Sequence, residues 1–188
     1  MTYVSSRGES WYLHEGVTKT GKPRYFVARS VGAGALAAMP EGREFRESIN
    51  GVVSVARVDA SAPRVDPADL AALQAEVKKH RQLARHKVAE LKGALVLHEP
   101  HGLGSMEMSA FATIFGLDPE ALSGLPVTRV RYTPVLKFVT NPDAGTWSVY
   151  RWVSLGEGFW HWLGHGKLLT LAREYLPAVG TDEFFELL

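Results

Sequence analysis

Seven histidines and no cysteine set the terms on which this chain could hold a metal. His98-x-x-His101 and His161-x-x-x-His165 are spaced so that two imidazoles reach one ion, the second pair by sharing a helical face. Glu99, Glu107 or Glu157 would supply a third ligand or a base, the arrangement of a metal-dependent hydrolase. Against this, Pro100 splits the first pair, four glycines (156, 158, 164 and 166) surround the second, and neither pair spells HExxH. Ser105 follows Gly102-Leu103-Gly104 and has His98 and His101 nearby, but a serine at a helix start is first an N-cap. GLGSME also lacks the second glycine of a nucleophile elbow. Gly32-Ala33-Gly34 lacks the third glycine of a dinucleotide loop, so no cofactor is expected. The absence of cysteine excludes disulfides, thiolate zinc sites, iron–sulfur clusters and cysteine nucleophiles together.

Two other groups of residues point to binding. Trp147, Trp152, Trp160 and Trp162 fall within sixteen residues, beside Tyr150 and Phe159. Packing is the plainer use of so much ring surface. In GEGFWHWLGHG, however, glycines flank Phe159, Trp160, Trp162 and Leu163, and alternation leaves rings outside, as on a partner-binding surface. The second group is cationic: Lys78, Lys79, Arg81 and Arg85, with Arg129, Arg131, Lys137 and Arg151 further on. If these formed one surface they would suit the phosphates of a nucleic acid. Cations near a helix end also complement its dipole and solvate an outward face, and the net charge of +1 advertises no general affinity for polyanions.

These residues need elements to position them. Asp66-Pro67 reads as a helix start, Leu70, Leu73, Val77, Ala84, Val88 and Leu91 recur at helical steps, and Gly93 reads as the stop. The spacing predicts one helix over 66–93, roughly 39 Å long, with a basic second half. Ahead of it, 11–17 and 24–29 read as a hairpin, as do 43–48 and 52–58 around Asn50-Gly51. Ala60 to Arg64 reads as a linker. Behind the helix, 94–98 reads as a buried strand, 105–115 as a helix, and Asp118-Pro119-Glu120 as a further helix start. Strands 127–140 and 146–155 form a ribbon. Pairing Thr140 with Thr146 places Val130, Tyr132, Leu136, Phe138, Tyr150 and Trp152 on one face and the cations on the other. Two helices, over 167–176 and 181–188, close the chain.

The architecture expected is α+β: an antiparallel β module over 1–62, a long central helix over 63–93, and a mixed module over 94–188 in which helices cover an antiparallel hairpin or sheet. With no apolar run suited to a signal or a membrane span, the sequence reads as soluble and cytoplasmic. The leading functional expectation is a noncatalytic binding protein, for a protein partner or itself. Nucleic-acid binding and metal-dependent hydrolysis are the alternatives.

Overall fold

Asp66 caps a helix as its sequence requires, accepting a hydrogen bond from Ala68 N at 2.8 Å with Pro67 at the first helical position. In the computed structural model, which describes residues 1–58, 64–101, 116, 130–154 and 156–187, that helix, α1 (Pro67–Val77), ends after three turns. His80 is already extended at φ −97°, ψ 109°, and a short 3-10 turn, Arg81–Leu83, follows. The basic stretch then enters strand β6 (Lys87–Leu91), which pairs antiparallel with β7 (Ala94–His101). Lys92 and Gly93 both have positive φ, 52° and 74°, the signature of a two-residue hairpin turn. The long central helix is therefore overturned. The described residues form ten strands in three sheets and three short α-helices, a mostly β architecture in place of the expected α+β one.

The chain divides into two compact units, Met1–Ala62 and Pro63–Leu188. In the first, β1 (Thr2–Val4), β2 (Ser10–Val17) and β3 (Pro23–Ala28) form one antiparallel sheet. Strands β4 (Arg43–Glu47) and β5 (Val53–Arg57) form a separate hairpin rather than extending it. Gly51, at φ 72°, gives the β4–β5 turn its left-handed residue. The two sheets are tied by Glu47, which accepts hydrogen bonds from Ser6 N and Oγ and from Tyr3 Oη, and by the Tyr3 and Phe45 rings, 5.0 Å apart.

The second unit is built on a five-stranded antiparallel sheet of order β10-β9-β8-β7-β6. Its remaining strands are β8 (Arg131–Asn141), β9 (Thr146–Val153) and β10 (Phe159–Gly166). Helices α2 (Leu168–Tyr175) and α3 (Glu183–Glu186) complete it. Leu95, Leu97, Leu136, Phe138 and Val149 present one face of the sheet to Leu73 and Val77 of α1, Leu171 and Ala172 of α2, and Phe184 of α3. This inner face holds the core. Most of the linker, the helix expected over 105–115, Ser105 and the 118–120 start lie outside the described residues. Among the described residues no helix is long and apolar enough to cross a membrane.

Candidate functional site

The register of β8 on β9 decides what faces outward. The turn Asn141 to Gly145 is where the sequence puts it, but Asn141 pairs with Thr146 and Thr140 with Trp147, one step from the expected pairing. A one-residue slip turns every side chain of a strand to the other face. Trp147, Val149, Arg151 and Val153 thus point into the core, and Tyr150 and Trp152 join Lys137 on the outer face. The expected face pairing Tyr150 and Trp152 with Leu136 and Phe138 does not exist, nor does the one joining Lys137 to Arg151.

On the outer face, cross-strand pairs line up Lys137, Tyr150 and Trp162 in one row, with Trp152 opposite Trp160 beside it. Lys137 Nζ stands 4.4 Å from the Trp160 ring centre and 4.9 Å from that of Tyr150, a cation held between two π faces. Burial among these rings pushes the Lys137 ammonium below its ordinary pKa. Trp152 and Trp160 meet edge to face at 5.2 Å, and Trp162 stacks on His165 at 6.3 Å. Gly158, at φ 75°, lies so close to Trp152 that a Cβ there would overlap the indole. Lys87 Nζ repeats the theme 4.4 Å over the Tyr132 ring.

Strand β10 carries all four residues expected to bind a partner, in exposed or half-buried positions. Phe159 is 49% and Trp162 51% exposed, and Trp160 is half-buried. Leu163 behaves differently. It is the extra residue of a bulge between Trp162 and Gly164 and packs against the core. Tyr175 Oη fixes the bulge by donating to the Leu163 carbonyl at 3.2 Å, and it sits 3.0 Å from where a Cβ on Gly164 would lie.

The described cations do not all share one surface, because Lys137 and Arg151 lie on opposite faces of the sheet. Lys78 and Lys79 follow the end of α1, where Lys79 pairs with the buried Glu76 at 2.7 Å. Arg81 lies in the 3-10 turn, Arg85 in the turn before β6, and Arg131 is exposed at the start of β8. Arg129 lies outside the described residues. Arg151 is only 6% exposed, and its Nη1 donates to the Phe185 and Leu187 carbonyls at 3.2 and 3.3 Å. Its guanidinium lies 4.9 Å from the Phe184 ring centre, and burial holds it below its ordinary pKa.

The histidines separate as well. His98 is buried with Nδ1 3.0 Å from the Val96 carbonyl, whereas His101 is exposed and paired with Glu99 at 2.8 Å. His161 and His165 are on a strand, not a helix, and the bulge between them sends His161 to the inner face beside Arg151 and His165 to the outer one. Among the described residues no three histidine or carboxylate side chains converge on a point where a metal could sit.

Lys87 belongs to the outer-face constellation without having been singled out in the sequence, and Tyr132, Tyr150 and Trp152 belong to it on a face other than the apolar one expected for them. The signal available was the strict alternation of TWSVYRWV, which keeps Trp147, Val149 and Val153 together only if Arg151 goes inside with them. No protein-family model matches the chain, and neither a curated protein nor a solved structure matches it.

Proposed function

We propose that the chain is a noncatalytic binding protein of the cytoplasm whose contact surface is β10, offered to an extended segment of a protein partner, a second copy of the chain being the first candidate. The observation that carries this is the contrast between the two edges of the five-stranded sheet. Edge strands invite foreign strands unless blunted by charge or proline. At one edge, β6 carries Lys87 and Glu90, with Lys92 in the turn beyond it. At the other, β10 reads FWHWLGHG, with no formal charge when its histidines are neutral, no proline, and among the described residues a neighbour on one side only. Strand addition there would gain main-chain hydrogen bonds along Phe159 to Trp162, with the rings supplying apolar contact. The bulge at Leu163 would end the pairing. The lack of cysteine supports the cytoplasmic assignment.

The test is sedimentation velocity across a concentration series, for the parent and for Trp162→Lys. Concentration-dependent association of the parent, lost in the variant, is the expected result. A parent and a variant that sediment alike as monomers would remove the second copy as occupant.

Nucleic-acid binding keeps one specific support, the seating of Lys137 between Tyr150 and Trp160. A ring platform with a cation suits an unpaired base and its phosphate. Fluorescence anisotropy with mixed-sequence single strands, titrated across salt, tests it: log-linear weakening with salt supports phosphate contacts, and no binding at low salt ends the reading.

A further inference from the structure

We propose that Arg43 and Arg57, in the first unit, form an anion site for a phosphate dianion, either free phosphate or a phosphate monoester. The two residues are directly opposite across β4 and β5. Val58 N donates to the Gly42 carbonyl at 2.9 Å, and Ser48 N to the Val52 carbonyl at 2.9 Å at the other end of the ladder. Counting from either end makes Arg43 and Arg57 a non-hydrogen-bonded pair, the kind in which side chains approach most closely, with Cβ atoms about 4.5–5.5 Å apart.

Like charges directly opposite are destabilising unless a counter-charge sits between them. The other paired arginines of this unit have one: Arg29 meets Glu9 at 2.8 Å and Arg46 meets Glu44 at 2.7 Å. Among the described residues no carboxylate reaches Arg43 or Arg57. Glu47, the acid on the same face of β4, is engaged at the far end of the strand by Ser6 and Tyr3. Arg43 is half-buried with its guanidinium 5.3 Å from the Tyr25 ring centre, so one fork of the site is already held, and Arg57, its cross-strand partner, is exposed. Two planar forks present more donors than a carboxylate's two oxygens can satisfy, and they carry two charges. A phosphate monoester or free phosphate supplies both the oxygens and the charge, whereas a phosphodiester is short of one charge.

The test uses the full chain at constant ionic strength, titrated with inorganic phosphate while the arginine Nε–Hε resonances are followed by NMR. Arg43 and Arg57 should move together along one saturable curve while Arg29 and Arg46 stay still. Arg57→Gln should weaken the response of Arg43 by about tenfold or more, as loss of charge-assisted bonds requires. Phosphate should raise the melting temperature of the parent and not of Arg57→Gln. In phosphate-free buffer the variant should melt no lower than the parent, because it has lost a repulsion and no partner; a purely structural arginine would lower it. A nucleoside monophosphate run in parallel separates the sources: affinity equal to that of inorganic phosphate indicates free phosphate, and tighter binding indicates a monoester. Resonances of Arg43 and Arg57 that move no more than those of Arg29 and Arg46, or that respond equally to chloride, would overturn the site.

Discussion

Arg151 is a charge placed where the chain otherwise buries hydrocarbon, and its value lies in the carbonyls it serves. Its bonds to Phe185 and Leu187 satisfy the end of α3, a helix of four residues that could not hold its own terminus. Replacement with Met keeps the aliphatic body and leaves two carbonyls without donors, at a cost of about 1–3 kcal/mol. Arg151→Ala adds a cavity and should cost about 1–2 kcal/mol more. Urea denaturation of both variants checks the order; Ala equal to Met would show that the packing of the stem contributes nothing. The outer face has a comparable pinch point at Gly158. An alanine there meets both an unfavourable φ and the Trp152 indole, so Gly158→Ala should destabilise by about 2–4 kcal/mol. A melting temperature unchanged by that substitution would mean that the β9–β10 turn adjusts freely.

The hairpins that were legible were those whose turns carry their own chemistry. Asn50-Gly51 and the glycine-bearing turn Lys19 to Lys22 locate β2 through β5 because only a few backbone conformations suit those residues. Asn141 to Gly145 locates β8 and β9 equally well, but the expected pairing makes the connection five residues where it is four, Asn141 being the last residue of β8 and the 3-10 segment Pro142–Ala144 filling the turn, so the register is left open by one. That single step decided which aromatics form the candidate site. The helix over 66–93 was misread for a related reason: glycine with positive φ ends helices and also makes hairpins, so Gly93 alone cannot distinguish the two. What distinguishes them is the strand that follows. Ala94 to His98 needs an antiparallel neighbour, and Lys87 to Leu91 is near enough in sequence to be one. Leu91, counted in the apolar helical stripe, is 54% exposed, which shows that the helical spacing past Val77 was coincidence. The histidine pair on β10 failed as a metal grip because a bulge, invisible in the sequence, separates its two faces.

Across the protein, buried titratable groups set how stability responds to acid. Burial pushes His86 below its ordinary 6.5, and among the described residues neither ring nitrogen has a hydrogen-bond partner. Burial does the same to His98, against the opposing pull of carbonyls at Val96 and Lys87. Folded histidines with depressed pKa values bind protons less readily than unfolded ones, so their contribution is full above pH 6.5 and falls as pH drops below it. Glu76 is held below its ordinary 4.5 chiefly by Lys79, and its contribution is lost as pH falls below 4.5. Thermal melts between pH 8 and pH 4 should therefore show a decline beginning near 6.5, shallower in His86→Phe. A flat profile down to 4.5 would contradict the burial of both histidines. The strand order β6-β7-β8-β9-β10 carries a consequence for biosynthesis. Because spatial order follows chain order, each strand of this sheet can dock on its predecessor as it leaves the ribosome. The charged edge, β6, is made first and stands guard while the sheet widens. The other edge, β10, which carries no lysine, arginine, carboxylate or proline, is translated last of the five, so a nascent chain displays it only when four strands are available to receive it.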